Sequence, residues 1–202
     1  MIVLVGFMGA GKTTIGHLLA DKLGLPFTDS DLVIEDRSGR AVREIFAADG
    51  EPAFREMESA VIAGLLDGPD TVLALGGGAA EHPATRELLA TVPVVYLHVG
   101  YDEAMSRVGG DTGRPMLARP DVADLYKRRL AVYKSVATLT VSTDGRDPER
   151  IAADIIAETT GLSGRGLPPS ARARLGWRRR RPGPVLAGGD ASSPGFVYLP
   201  RP

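Results

Sequence analysis

The sequence predicts an α/β fold: a three-layer α/β/α sandwich around a five-stranded parallel sheet, with a mobile lid. Three observations lead there. Apolar runs alternate with helical periods through the first 160 residues, as strands do when helices cross over between them. The first apolar run ends directly in Gly6-Phe7-Met8-Gly9-Ala10-Gly11-Lys12-Thr13, which is the G-x-x-x-x-G-K-T pattern of a phosphate-binding loop. A stretch rich in glycine, proline and charge, residues 109–120, interrupts two good helical patterns. Long insertions of that kind inside compact domains are usually lids or binding loops.

Taken in order, strands are expected at 2–5, 26–28, 72–75, 94–98 and 138–141. Helices are expected at 12–23, 31–37, 42–48, 52–66, 83–90, 101–108, 122–136 and 148–159. Pro52, Pro83 and Pro148 each suit a first helical turn, where the missing N–H costs nothing. Gly24 and Gly39 read as helix stops. The chain of 202 residues divides into a domain over 1–162 and a tail over 163–202. The tail holds eight arginines against one aspartate and few core-forming residues, so it reads as disordered. Arg178 to Arg181 could meet nucleic acid or an anionic surface, although a solvated tail without a dedicated partner is the simpler reading.

A hydrophobic content of 44% is ample for a core, and no apolar stretch is long enough to span a membrane. There is no basic leader before the first strand, and no cysteine for a disulfide or thiolate site. Cytoplasmic placement follows as an expectation.

The loop's glycines let successive N–H groups turn inward as an anion nest, which a Cβ would obstruct. Lys12 adds a mobile charge for the outer phosphates, the Thr13 hydroxyl can ligate Mg2+, and the helix starting near Lys12 aims its positive end at the same anion. Asp29-Ser30-Asp31 follows the second strand at the carboxyl edge, where open α/β sheets place ligands. One carboxylate can face the metal and the other a substrate hydroxyl, or either can cap the following helix. No acid ends the third strand, so Asp29 is the natural candidate for Mg2+, reached through water. Arg55 and Glu58 share a helix face, so the glutamate could hold the guanidinium; by itself the spacing favours an exposed surface pair. Gly76, Gly77 and Gly78 suit a backbone that approaches a ligand closely. Arg128 and Arg129 are equivalent candidates for a functional charge. His17, His82 and His98 show no metal-ligand spacing and read as structural.

With those pieces placed, residues 2–159 resemble the shikimate kinases, small kinases of the nucleoside-monophosphate-kinase type. The likeness rests on the ordered set GFMGAGKTT, FTDSD, EIF…GE-x-x-FR-x-x-E, LGGGA, GRPML and the segment from Arg129 to Tyr133. The resemblance implies ATP-dependent phosphorylation of the 3-hydroxyl of shikimate, a step towards chorismate and the aromatic amino acids. It implies that Gly9, Ala10, Gly11, Lys12, Thr13 and Thr14 hold the phosphates, with Thr13 at Mg2+ and Asp29 near the metal. Asp31 would hold the accepting hydroxyl and take its proton. Arg55 and Arg129 would grip the substrate carboxylate beside the backbone of Gly76, Gly77 and Gly78. Arg114 would arrive with the lid, and Arg107 and Arg146 would line the adenine. The family pattern has a proline two residues after its second substrate arginine, where this chain has Ala131.

Two other readings remain. A kinase for another small polyol acid, of gluconate type, would keep the loop and lid and change the acceptor contacts. A nucleotide-gated nucleic-acid binder would make the tail central, with salt-sensitive binding lost on its removal. The leading expectation is a monomer acting on a small molecule, without membrane or nucleic acid.

Overall fold

The computed structural model describes residues 1–109 and 121–164, with side chains through residue 159. Residues 110–120, with Arg114 of the expected lid, and residues 165–202, with the arginine-rich part of the tail and Trp177, lie outside the described residues.

Five strands, β1 (Ile2–Val5), β2 (Phe27–Asp29), β3 (Val72–Ala74), β4 (Val94–His98) and β5 (Leu139–Ser142), form one sheet in the order β2-β3-β1-β4-β5. Every pairing is parallel; Leu4 on the central strand stands beside Ala74 on one side and Val95 on the other. Burial follows that order. All four residues of β1 and all three of β3 are buried, whereas edge strands β2 and β5 are partly exposed. A central strand buried on both faces has no reason to alternate, which is why Ile2-Val3-Leu4-Val5 reads as a continuous apolar run.

The helices are α1 (Lys12–Leu23), α2 (Ser30–Ser38), α3 (Val42–Leu66), α4 (Pro83–Leu89), α5 (Tyr101–Val108), α6 (Val122–Val136) and α7 (Pro148–Gly164). A 3-10 turn, Ala79–Glu81, follows β3. Gly24 and Gly39 are left-handed C-caps, as expected. The two helices expected at 42–48 and 52–66 run together as α3, broken at a single residue, Gly50 (φ 80°, ψ 168°). Glycine breaks the hydrogen-bonded run, and Pro52, compatible with a first turn, lets the helix resume at once. The last helix continues to Gly164, two residues past the expected domain boundary. A small apolar cluster of Ile34, Ile45, Phe54 and Val61 joins α2 to α3, separate from the main core built around the sheet.

The chain leaves β1 towards β2 on one side and leaves β3 towards β4 on the other. Adjacent strands with opposed exits open a crevice at their carboxyl ends, where α/β sheets bind ligands. The phosphate-loop pattern follows β1 and the triple glycine follows β3, so both border that crevice.

Candidate active site

The loop after β1 closes on itself: the Ala10 N–H donates to the Phe7 carbonyl at 3.1 Å, and Ile15 N–H to the Gly11 carbonyl at 2.8 Å. Gly9 and Gly11 have φ of 76° and 83°, a left-handed conformation that side chains strain. Lys12 Nζ donates to the Gly6 carbonyl at 2.9 Å, which draws the ammonium back across the loop. Gly9, Ala10, Gly11, Lys12, Thr13 and Thr14 all line one cavity of about 520 Å³.

Arg107 and Arg146 line the same cavity. Arg107 is fastened around its edge: Nε to Glu103 (3.1 Å), Nη1 to the Gly9 carbonyl (3.1 Å) and Thr143 Oγ1 (3.2 Å), Nη2 to the Thr143 carbonyl (2.8 Å). In-plane bonds leave the flat faces of a guanidinium for stacking. Arg146 bonds the Ser142 carbonyl at 3.1 Å and pairs with Asp154.

On the acceptor side, Asp29 ends β2 and caps α2, its Oδ1 accepting from Asp31 N–H at 2.9 Å. Of the alternatives for this pair, the helix cap is the one seen at Asp29, and it occupies one of the two carboxylate oxygens. Ser30 between them is buried, and its Oγ accepts from Gly76 N–H at 3.0 Å, tying the two strand ends together. Asp31 points to the same place: a Cβ on Gly76 would meet its Oδ1 at 2.4 Å and Glu58 Oε1 at 2.8 Å. Burial, reinforced by Asp29 and opposed by Lys12 and Arg55, pushes the Asp31 carboxyl up to about 6. Burial likewise pushes Glu58 up to about 7, against the Arg55 charge and hydrogen bond. Glu58 Oε1 has no hydrogen-bond partner among the described residues although it is buried.

Arg55 is held by Glu58 at 2.7 Å and Glu51 at 3.1 Å, with the rings of Phe46 and Phe54 centred 5.6 and 5.4 Å from its guanidinium carbon. A Cβ on Gly78 would fall 2.1 Å from its Nη2. Arg129 is buried on α6, while Arg128 is exposed, so the fold separates two residues that sequence left equivalent. A Cβ on Gly77 would meet Arg129 Nη1 at 3.3 Å. Ala131 lets α6 run unbroken from Val122 to Val136, and Tyr133, four residues past Arg129, donates to the Gly77 carbonyl. Asp31, Arg129 and Arg55 are therefore gathered along the glycine run, beside Gly76, Gly77 and Gly78 in turn.

Sequence reading missed Ser30, Glu81 and Thr143. Glu81 binds Arg129, Thr143 binds Arg107, and each contact joins residues at least 36 apart in the chain. His17 stacks on Phe27 and His98 meets the Tyr96 ring edge-on, which suits structural roles.

A phosphate cradle on one side of a switch-point crevice and a carboxylate with two arginines on the other define a P-loop phosphotransferase acting on a small anionic acceptor. The shikimate kinase family model matches residues 8–160. Shikimate kinase of Thermobifida fusca is 47% identical over 167 residues, covering 81% of this chain and 96% of that one. Shikimate kinase of Mycobacterium avium is 46% identical over 159 residues, covering 77% and 90%. The structure of shikimate kinase from Acinetobacter baumannii in complex with shikimate superposes with a TM-score of 0.75 at 38% identity, covering 79% of this chain and 92% of that one. The chain belongs to the shikimate kinase family.

Proposed function

We propose that the protein transfers the γ-phosphoryl group of ATP to the 3-hydroxyl of shikimate, giving shikimate 3-phosphate and ADP on the route to chorismate. The observation that carries this reading is the convergence of Arg55 and Arg129 on the glycine run, opposite Asp31. Two guanidinium groups suit the carboxylate of a small polyol acid, since their planar forks bind it through paired hydrogen bonds.

Asp31 sits to accept the proton of the attacking hydroxyl. The new bond joins that oxygen to the γ-phosphorus, the bond to the bridging β–γ oxygen breaks, and the electron pair leaves with ADP. The orphaned Glu58 Oε1 is an acceptor for a second substrate hydroxyl or a water. Gly9, Ala10, Gly11, Lys12, Thr13 and Thr14 hold the phosphates, and Arg107 and Arg146 flank the base. Arg114 belongs to this reading as the charge brought by residues 109–120.

Among the described residues there is no cluster of three or more His, Cys, Asp or Glu that could hold a metal. Mg2+ keeps several waters and is held by substrate phosphates with one or two protein oxygens. The Thr13 hydroxyl and, through water, the second oxygen of Asp29 would hold it; when bound, it would supply positive charge that neutralises the phosphates. The reading takes the protein as a cytoplasmic monomer that needs no nucleic acid and no membrane. No helix of the described residues is long and apolar enough to cross one.

The test is a coupled ADP-release assay comparing shikimate, gluconate and nucleoside monophosphates. Shikimate should be preferred by a factor on the order of 10³, because a site built around a substrate's polar groups rejects analogues that leave them unpaired. Equal turnover of gluconate would favour the polyol-acid alternative.

A further inference from the structure

Glu81 closes the 3-10 turn after the glycine run, and Arg129 of α6 binds it through one edge. Glu81 Oε2 accepts from Arg129 Nε at 2.9 Å and lies 2.8 Å from Nη2. Those two nitrogens form the side-on edge of the guanidinium, and Nη1 with Nη2 forms a second, end-on edge. Nη1 of the end-on edge lies beside the glycine run, where the acceptor is proposed to bind, since a Cβ on Gly77 would meet it at 3.3 Å. Tyr133, one turn along α6 from Arg129, donates its hydroxyl to the Gly77 carbonyl. The turn beneath Glu81 is fastened: Arg86 Nη1 donates to the carbonyls of Ala80 at 3.1 Å and Glu81 at 2.7 Å.

We infer that Glu81 is a positioning residue, holding Arg129 by its side-on edge so that the end-on edge meets the carboxylate of the acceptor substrate. This rests on the assignment of shikimate as that acceptor and deepens it. The Arg129 side chain keeps 6% of its exposure, so without Glu81 a buried cation would lose its carboxylate partner and turn to find another. A guanidinium already fixed on one side loses less rotamer freedom when the ligand arrives, which raises affinity without adding a contact. Glu81 also reduces the net charge offered to the substrate. Because both bonds go to one oxygen at a partly exposed carboxylate, orientation outweighs that screening.

The test is steady-state kinetics on the full chain, with shikimate and ATP varied in turn. Glu81→Ala should raise KM for shikimate about tenfold while kcat and KM for ATP stay within about threefold. Glu81→Gln, which keeps an acceptor oxygen, should recover most of the affinity. Glu81→Asp, which keeps the charge and shortens the reach, should resemble Glu81→Ala and carries the test should the alanine variant not fold. In an Arg129→Ala background, Glu81→Ala should change KM for shikimate less than about twofold. An unchanged or lowered KM for shikimate in Glu81→Ala, a parallel rise in KM for ATP, or an effect that persists without Arg129 would overturn the role of Glu81. Wild-type protein that releases no ADP on shikimate would overturn the substrate assignment, and this inference with it.

Discussion

Arg55 and Glu58, one turn apart on α3, meet at 2.7 Å with the glutamate side chain 1% exposed. At the surface such a pair contributes well under about 1 kcal/mol. Here Phe46 and Phe54 wall off the arginine, and Glu51 takes another of its nitrogens. The guanidinium is therefore set in one orientation beside Gly78 before any ligand binds. Burial turns a marginal helix pair into a fixed guanidinium, which the proposed function uses as an anion clamp.

Removing that clamp should separate the two substrates. Arg55→Ala should raise KM for shikimate about 100-fold, the scale of one or two charge-assisted hydrogen bonds. KM for ATP should stay within about threefold, because the nucleotide cavity is lined by other residues. Initial-rate measurements with each substrate varied would decide it, and a collapse in ATP affinity would refute this division of the pocket.

Asp31 should set the acid limb of activity. Its carboxyl, raised from 3.8 to about 6 by burial first and Asp29 second, holds its proton below that pH and cannot accept another. The profile of kcat/KM reports the free enzyme, so activity should rise tenfold per pH unit up to about 6 and then level. Asp31→Asn should lower kcat by about 10² to 10⁴ and abolish that limb. A wild-type profile flat down to pH 4.5 would exclude Asp31 as the base.

Glu58 should leave its mark on stability instead. Its folded value of about 7 lies above the ordinary 4.5, so the native state binds a proton that the unfolded chain releases. The stabilisation is fully present below about pH 4.5 and is lost as pH rises through about 7. Between pH 5 and 8, substrate-free wild type should lose more stability than Glu58→Gln, by up to roughly 3 kcal/mol. Urea unfolding of both proteins at the two pH values gives the comparison. Parallel losses would mean that Glu58 is already ionised in the fold.

How much of this was legible beforehand depended on distance along the chain. β1, β4, α5 and α6 begin and end where periodicity places them, because their apolar faces repeat locally. The phosphate loop was equally plain, since a contiguous motif carries its own geometry. Arg128 and Arg129 were indistinguishable as a charge pair, although Leu125, Arg129 and Tyr133, spaced by four, mark one buried face of α6. That spacing could have selected Arg129. Nothing local could have linked Glu81 to Arg129 or Ser30 to Gly76, because those contacts exist only once β2, β3 and α6 are assembled. Breaking α3 at one residue rather than over a loop was also beyond a pattern reading, since Gly50 and Pro52 give the same punctuation in either case.

The glycine run offers the most selective test, because neighbouring positions touch different functions. A Cβ at residue 76 would stand 2.4 Å from Asp31 Oδ1 and 2.8 Å from Glu58 Oε1; at residue 78 it would stand 2.1 Å from Arg55 Nη2. None of these distances is tolerable, so something must move. At 78 the obstacle is a guanidinium tied to Glu51 and Glu58, and displacing it costs acceptor binding. At 76 the obstacle is the Asp31 carboxylate, the proposed proton acceptor, on a backbone whose N–H is held by Ser30. Gly78→Ala should therefore act mainly on KM for shikimate, raising it about tenfold or more, whereas Gly76→Ala should act mainly on kcat, lowering it by about 10². Both should leave KM for ATP within about threefold, with folding checked by circular dichroism. Equal effects of the two substitutions on both parameters would show that the run acts only as a turn, and that its bare backbone does not divide acceptor binding from proton transfer.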